Sequence, residues 1–250
     1  MTTSDPRSRS YLLDDLRRLY VRLAANEGWY RQSWLGVPIW QLPGDLIILQ
    51  RLVCTIKPRV IVETGTKYGG SAIFFASLLQ NLGLMESRVI TIDIQETKEA
   101  RENLLNHRLS HFINRQLIGN ALDPSIIREV RQQLNTLPGP ILLFLDDWHG
   151  GDHVLEELNV YTSFVCEDSI AVIADTTFED LAGTPVAPFD EIRHSNPRSA
   201  IREFLAEHSE FEQISDFITG GLSNFYDGVI RRRRDSKHSI AYTKPKSLQR

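Results

Sequence analysis

The stretch that decides the fold reads Arg59-Val60-Ile61-Val62-Glu63-Thr64-Gly65-Thr66-Lys67-Tyr68-Gly69-Gly70-Ser71. Its consecutive β-branched residues, Val60 to Val62, form a run too short for a helix and predict a strand that is buried on both faces. Glycines then interrupt the chain, and apolar residues return at helical spacing between Ala72 and Leu79. A strand, a glycine turn and a helix in this order build a ligand cradle, because glycine lets the backbone approach a ligand closely. An ordinary tight turn between a strand and a helix is the alternative that this stretch alone leaves open.

The spacing of the glycines indicates which cofactor such a cradle would hold. It matches neither the P-loop pattern nor the G-x-G-x-x-G pattern of nicotinamide enzymes. Glu63 stands at the end of the strand, where its negative charge would repel a pyrophosphate and attract an ammonium group. S-adenosylmethionine carries both an ammonium and a sulfonium, so the turn predicts a site for this cofactor.

The composition predicts one large α/β domain without a general affinity for nucleic acid or membranes. The chain has 250 residues, of which 42% are hydrophobic and 24% are charged, as is usual for globular proteins. Its formal net charge of −4 provides no overall field that would recruit a polyanion. The basic run from Arg231 to Arg234 is the exception, and we interpret it as a strand end that continues into a solvated tail.

Cysteine usage and hydropathy bear on the compartment. The two cysteines, Cys54 and Cys166, lie in apolar stretches and are predicted to be buried free thiols of a reducing compartment. We recognise no signal peptide and no hydrophobic run of membrane-spanning length. We therefore expect a cytoplasmic protein.

Three segments are predicted along the chain: residues 1–45 as a tail, a helix and an aromatic loop, residues 46–234 as a single domain, and residues 235–250 as a second tail. The predicted helix Tyr11–Ala25 carries a largely helical leucine stripe and lies outside the alternating pattern of the domain. It either caps the domain or packs on another subunit, and we expect a homo-oligomer. The aromatic residues that follow it either line a ligand mouth or pack against the sheet: Trp29, Tyr30, Trp34 and Trp40.

Strands and helices alternate after the glycine turn, which predicts a parallel, doubly wound sheet of the Rossmann-like type. The alternation stops after Asp175, and residues 176–197 lack a clear period, so we expect a long functional loop or lid there. Two final strands lie close enough in sequence to form an antiparallel hairpin, which is the methyltransferase variant of this fold. The predicted strands are Val60–Val62, Val89–Ile92, Phe112–Ile118, Ile141–Leu145, Ile170–Ala174, Phe211–Ile218 and Asn224–Ile230. The predicted helices are Asp45–Ile56, Ala72–Leu79, Glu96–His107, Pro124–Leu134 with Asp123 as its N-cap, Asp152–Val165 and Ser199–Glu207.

Polar side chains follow the predicted parallel strands where each one ends, namely Glu63, Asp93, Asn120, Asp146 with Asp147, and Asp175. Ligands of such sheets bind outside the carboxyl ends of the strands. Asp93 is placed to accept both ribose hydroxyls of a nucleoside, and Asn120 is placed to meet an adenine edge. Helix capping is the alternative reading of any one of these residues.

Asp146 and Asp175 end neighbouring strands and are predicted to bind one Mg²⁺, which needs few protein carboxylates. His149 follows three residues after Asp146, at the entry to the next helix, and is predicted to be a general base. His153 lies one turn further on and is expected to stack under His149. The alternative for His149 is a capping group at the helix start.

A set of short motifs lies along the chain: Trp34-Leu35-Gly36-Val37-Pro38, Pro43-x-Asp45, Lys57-Pro58, Val62-Glu63-Thr64-Gly65-Thr66, Gly69-Gly70-Ser71, Leu145-Asp146-x-x-His149, His153-Val154-Leu155-x-Glu157-Leu158 and Asp175-Thr176. With these motifs the chain resembles the cephalosporin hydroxylase/rhamnosyl O-methyltransferase family over roughly residues 34–232. The resemblance implies an S-adenosylmethionine-dependent, Mg²⁺-assisted O-methyltransferase, with Asp146 and Asp175 as metal ligands and His149 as the base. It also implies cofactor contacts from Glu63, Gly65, Ser71 and Asp93, and we add Thr66, Gly69 and Asn120 to the predicted cofactor site. One position departs from the family, because an acidic residue usually precedes the position of Asp175 and here it is Ala174, so we expect weaker metal binding.

The leading functional hypothesis is methyl transfer to a hydroxyl of a sugar or specialised metabolite, a small-molecule acceptor. A non-haem iron hydroxylase is a second hypothesis, with Asp146, His149 and His153 as the carboxylate and two histidines of its metal site. A non-catalytic nucleoside-binding subunit that assists a partner enzyme is a third, and Ala174 fits it. A hydrolase is not favoured, since no serine or cysteine nucleophile occupies a strand–turn–helix elbow.

Overall fold

The computed structural model describes residues 6–185, 187–188, 190–217 and 222–233. Its centre is a seven-stranded mixed sheet with helices on both faces. No helix in the described ranges has both the length and the apolar character that a membrane crossing requires.

The strands and helices follow one another in the predicted alternation. The strands are β1 (Ser33–Trp34), β2 (Val37–Pro38), β3 (Val60–Thr64), β4 (Arg88–Asp93), β5 (Ile113–Ile118), β6 (Ile141–Leu145), β7 (Ile170–Ile173), β8 (Phe211–Gln213) and β9 (Val229–Arg232). The helices are α1 (Pro6–Glu27), α2 (Pro43–Ile56), α3 (Gly70–Asn81), α4 (Lys98–Asn106), α5 (Pro124–Thr136), α6 (Gly151–Tyr161) and α7 (Pro197–Glu207).

The strand order of the main sheet is β5-β4-β3-β6-β7-β9-β8. The strands from β5 to β7 are parallel, and β9 is antiparallel to both β7 and β8. This order confirms the predicted doubly wound sheet with a C-terminal antiparallel hairpin. It also places β3 centrally, between β4 and β6, so the ends of these three strands share one edge of the sheet.

The core has two layers because successive side chains of a buried strand point to opposite faces. On β3, Ile61 packs into the layer that contains α2 and α3, whereas Val60 and Val62 pack into the layer that contains α6 and α7. The β-branched run therefore lies inside the protein on both faces, as predicted.

Several boundaries and local details differ from the sequence-based expectation. The last strand begins at Val229, because residues 222–228 form turns before it. The preceding strand β8 ends at Gln213 and not at the expected Ile218, since residues 214–217 are not in a strand, and Ile218 itself lies outside the described residues. Asp123 occupies the N-cap position of α5, yet its side chain makes no capping hydrogen bond. The prediction of two buried thiols is wrong, since Cys54 is only half-buried and Cys166 is exposed. The exposed thiol lies in the short turn that leads into β7, where none of the described elements covers it.

The N-terminal extension is a long helix followed by a small ribbon of β1 and β2. α1 packs on a short helical turn, Phe178–Leu181, through an ion pair between the buried Arg17 and Asp180 (Nε to Oδ2, 3.0 Å). This turn opens the segment 176–197, and Val186 and Phe189 of that segment lie outside the described residues. Trp34 packs on Phe74 with ring centroids 4.9 Å apart, so this tryptophan belongs to the core. The division into tails, domain and lid stays a prediction.

Candidate active site

The glycine turn after β3 brings two strand ends together. Gly65 has φ +89°, and a Cβ atom there would lie 2.0 Å from the carbonyl oxygen of Asp146. Only glycine allows this approach of backbone to backbone. A Cβ at Gly69, where φ is +84°, would meet the Leu104 side chain at 2.8 Å. The glycines are thus required by the packing of the strand ends and helices around the turn, and this packing sets Asp146 beside the predicted cofactor cradle.

A cavity of about 750 Å³ opens at the carboxyl edge of the parallel strands. It is lined by most of the predicted site residues: Gly65, Thr66, Ser71, Asp93, Asn120, Asp146, His149 and Asp175. Glu63 and Gly69 are not among the described residues that line it. One cavity therefore joins the predicted cofactor cradle to the predicted metal and base residues.

Glu63 lies fully buried behind the cavity wall. Its Oε2 accepts a hydrogen bond from the Thr91 hydroxyl at 2.7 Å, and Oε1 has no hydrogen-bond partner among the described residues. Burial raises the pKa of Glu63 to about 7, with a smaller contribution from the Asp93 charge, while the hydroxyls of Ser71 and Thr91 act in the opposite direction. Glu63 does not line the cavity. It can therefore influence a bound cofactor only indirectly, through its charge and through its position just before the glycine turn.

Asp93 ties two loops of the cradle together. Its Oδ2 accepts from the backbone N–H of Lys67 at 2.8 Å, and its Oδ1 accepts from the N–H of Gln95 at 3.2 Å. Each carboxylate oxygen has a second acceptor position, so a diol could still bind there. Asn120 uses its side-chain oxygen to accept from the N–H of Leu122 at 2.9 Å, which holds the exposed amide at the rim of the cavity.

Asp146 lines the cavity, and its negative charge is unfavourable there. Burial and the charge of the neighbouring Asp175 raise the pKa of Asp146 well above its usual range. The Gln41 side chain partly offsets this by donating from Nε2 to Asp146 Oδ2 at 2.6 Å. A divalent cation between Asp146 and Asp175 would relieve the repulsion, so the donor set fits Mg²⁺.

Asp175 pairs with His149. The Nε2 atom of His149 lies 3.0 Å from Asp175 Oδ2, and the His149 ring packs on Phe178 with centroids 4.9 Å apart. Asp175 itself has φ +52°, an uncommon conformation for a residue other than glycine. Residues held in such conformations occur often at functional sites, and here the backbone turns the carboxylate towards the histidine.

A second group of side chains surrounds His153. His153 Nε2 lies 3.1 Å from Asp147 Oδ2 and 3.8 Å from Oε2 of Glu157, a fully buried residue. Burial and the Asp147 charge raise the pKa of Glu157 well above its usual range. Burial would raise the pKa of Asp147 too, but the His153 hydrogen bond and charge lower it. The raised pKa of Glu157 and the lowered pKa of Asp147 agree with a neutral Glu157 beside an ionised Asp147.

This arrangement corrects the expected role of His153. The ring of His149 packs on Phe178, whereas His153 turns into its own carboxylate pair. The three residues of the iron hypothesis each have a different partner. His149 faces Asp175, and His153 faces Asp147. Asp146 accepts a hydrogen bond from Gln41. Among the described residues, the cluster of three possible metal ligands is Asp147, His153 and Glu157, with one histidine instead of two.

Trp40, one of the aromatic residues expected either to line a ligand mouth or to pack against the sheet, lines the cavity, and so do Gln41, Lys67 and Trp148, to which the sequence assigned no role. The Lys67 Nζ lies 4.6 Å from the centre of the Trp40 ring, a cation–π contact at the rim. Trp148 is 69% exposed although it is a large aromatic residue. The density of aromatic residues before α2 indicated this wall of the cavity. The role of Gln41 could not be predicted from the sequence, because it depends on Asp146, which ends a strand far away in the chain.

Comparisons with known proteins agree with this architecture. The family model described as Rhamnosyl O-methyltransferase/CmcI matches residues 26–232. The rhamnosyl O-methyltransferase of Mycobacterium tuberculosis (strain ATCC 25618 / H37Rv) is 26% identical over 160 residues, which is 64% of this chain and 62% of that protein. The rhamnosyl O-methyltransferase of Mycobacterium leprae (strain TN) is 26% identical over 164 residues, 64% of this chain and 66% of that protein. The chain thus matches less than two thirds of the length of these relatives.

Solved structures share the fold at low sequence identity. A CmcI structure with Mg and SAM aligns with a TM-score of 0.59 and 18% identity, over 83% of this chain and 78% of that chain. A Bacillus cereus O-methyltransferase in complex with SAH aligns with a TM-score of 0.51 and 21% identity, over 92% of this chain and 91% of that chain.

Proposed function

The chain belongs to the Rhamnosyl O-methyltransferase/CmcI family, and we propose that it is an S-adenosylmethionine-dependent O-methyltransferase. Its acceptor is a hydroxyl group of a small molecule, either a sugar or a specialised metabolite. The matched relatives are rhamnosyl O-methyltransferases, which makes a deoxysugar hydroxyl the first acceptor class to test.

The observation that carries this proposal is the single cavity at the sheet edge. One half of the cavity contains the glycine turn with Asp93 and Asn120, which suit a nucleoside. The other half contains Asp146, His149 and Asp175, which suit the activation of a hydroxyl. Both halves open into the same space, as a direct transfer between two bound molecules requires.

Asp146 and Asp175 are the residues that would hold Mg²⁺. When bound, S-adenosylmethionine supplies an electrophilic methyl group and Mg²⁺ supplies charge that lowers the pKa of the acceptor hydroxyl. Ala174 is 2% exposed and packs in an apolar layer of the core, so a third carboxylate introduced there would have to leave that layer to reach the metal. Asp146→Asn is the better probe of the site, because it preserves the side-chain shape while it removes the charge.

His149 is placed to take the proton from the acceptor hydroxyl. With its Nε2–H directed at Asp175, the neutral ring keeps Nδ1 as the basic atom. The Asp175 carboxylate orients the ring, as a carboxylate does for a general base in other enzymes. The stack on Phe178 restricts ring rotation and keeps the basic atom in one direction.

The contact between His149 and Asp175 also favours a second candidate mechanism, in which the pair works without a metal. In that case Asp175 serves the histidine alone, and Asp146 orients the acceptor hydroxyl through a hydrogen bond. Turnover in EDTA separates the two mechanisms. Loss of activity that Mg²⁺ restores supports the metal site, and unchanged activity supports the pair.

The direct test is calorimetric titration with S-adenosylmethionine, S-adenosylhomocysteine and NAD, followed by transfer of a labelled methyl group to a panel of rhamnosides. Binding of the first two ligands and labelling of an acceptor are expected. Selective binding of NAD would overturn the proposal. Binding of the cofactor without labelling of any acceptor would instead support a non-catalytic subunit.

A further inference from the structure

The outer face of α1 carries a row of exposed leucines. Leu12, Leu16, Leu19 and Leu23 are 59%, 44%, 67% and 59% exposed. Their alternating spacing of four and three residues is the heptad pattern of a helix that packs against another helix. Leucines at such positions lose stabilising burial as long as they face water.

The inner face of the same helix is held by the body of the protein. Arg17 and Val21 are buried, and Arg17 reaches Asp180 at 3.0 Å and the ring of Tyr226 at 4.2 Å. The orientation of α1 is therefore set by the inner contacts, and the leucine row cannot turn inwards without breaking them. No element among the described residues covers the row.

When two α1 helices pair in one particular arrangement, the charged residues beside the leucine row of one helix face opposite charges on the other. If a second α1 runs antiparallel about a two-fold axis between Leu16 and Leu19, then Leu16 meets Leu19 of the other copy, and Leu12 meets Leu23. In the same register the exposed Asp15 of each helix lies beside the exposed Arg22 of the other. In a parallel pair Asp15 would instead face Tyr20, and the two helix dipoles would align unfavourably.

We propose that α1 is a dimerisation helix that pairs with α1 of a second copy of this chain in the antiparallel sense. A two-fold interface of this kind uses one surface twice and closes on itself. Because each copy contributes one helix, the buried area lies at the low end of the ~1,200–2,000 Å² of standard interfaces. We expect a dimer that dissociates on dilution.

The test is sedimentation of the full-length chain over a range of concentrations. The wild type should show a monomer–dimer equilibrium, and Leu19→Asp should remain monomeric at concentrations where the wild type is dimeric. Leu105→Asp is the matched control, because Leu105 is 64% exposed on α4 and should leave the dimer unchanged. A monomeric wild type, or a Leu19→Asp protein that dimerises like it, would refute the proposal.

A charge exchange tests the antiparallel register and does not depend on enzymatic activity. Asp15→Arg should weaken the dimer about tenfold or more, because it places like charges together at two symmetric positions. Arg22→Asp should have the same effect, and it also removes the bond from Arg22 Nε to the Asp180 carbonyl, so Asp15→Arg is the cleaner single variant. The double variant restores opposite charges and should recover most of the affinity. A double variant as weak as either single variant would exclude this register, and circular dichroism of each protein shows whether the fold is kept.

Discussion

At the residue scale, the site depends on carboxyl groups that the fold holds out of water. Glu63 and Glu157 are fully buried, and Asp146 lies at the cavity floor beside Asp175. Burial raises the pKa of Glu63, Asp146 and Glu157, because a charged carboxylate loses hydration inside the protein. The ionised forms therefore cost folding stability, and a bound cation or a cationic cofactor would recover part of that cost.

We predict that Glu63→Gln flattens the pH dependence of stability. The pKa of Glu63 is about 7 in the folded state and ~4.3 in the unfolded state, so between these values the folded protein binds more protons. The contribution of Glu63 to stability is therefore lost as the pH rises from ~4 to ~7. Glutamine can still accept the Thr91 hydrogen bond and does not ionise. In urea unfolding without cofactor, the free energy of unfolding of the variant minus that of the wild type should increase from pH 4 to pH 8. An equal difference at both pH values would contradict the prediction.

We predict that His149→Ala lowers turnover by roughly 10²–10⁴-fold, the usual effect of removing a general base. S-adenosylmethionine should still bind, because the proposed role of His149 is to take a proton from the acceptor and not to hold the cofactor. His111→Ala, which removes a histidine outside the cavity lining, is the control. Turnover within a few-fold of the wild type would exclude the base role, and loss of cofactor binding would show a structural role.

At the scale of elements, the anchoring of α1 depends on one buried ion pair. Arg17 is 2% exposed and bonds to Asp180, with Asp14 as a second partner at 2.7 Å. The same Asp180 accepts from Arg18, and its backbone carbonyl accepts from Arg22. The turn that begins the segment 176–197 is thus fixed to the N-terminal helix. This contact links α1 to the wall of the cavity, because Phe178 of the same turn supports His149.

We predict that Asp180→Ala destabilises the protein by about 3 kcal/mol, because it leaves the buried Arg17 with Asp14 as its remaining carboxylate. Asp190→Ala removes an exposed ion pair with Arg193 and should change stability by less than about 0.5 kcal/mol. Urea unfolding of both variants gives the comparison. Equal stabilities would show that the pair does not anchor α1.

At the scale of the whole molecule, the described part of the basic run serves the sheet. Arg231 bonds to Glu212 across β8 and β9 at 2.8 Å, Arg232 donates to the carbonyl of Val165, and Arg233 donates to that of Phe211. These guanidinium groups are engaged by the chain itself. Arg234 and residues 235–250 lie outside the described residues.

We predict that truncation after Arg234 leaves folding and cofactor binding near those of the full chain, since β9 ends at Arg232. Thermal unfolding and calorimetric titration of both lengths provide the comparison. Duplex DNA should bind neither form tightly, and strong salt-sensitive binding would show that the basic run has a partner. A large loss of stability on truncation would show that the tail belongs to the fold.

The sequence by itself determined the class of fold, because the information is local. The run Val60–Val62, the glycines behind it and the alternating strands and helices each depend on neighbours in the chain, and the sheet follows from their order. The polar residues at the strand ends could be assigned to one site for the same reason, since parallel strands of a sheet end at one edge.

The tertiary structure alone decided which of these residues face one another. The pairing of His149 with Asp175, the bond from Gln41 to Asp146 and the burial of Glu63 behind the cavity wall join residues from separate elements. The same holds for Asp45, whose Oδ1 accepts from Ser223 at 2.6 Å and helps to place the closing strand. Contacts between distant parts of a chain depend on exact distances and on rotamers selected by packing, and no periodicity in the sequence records them.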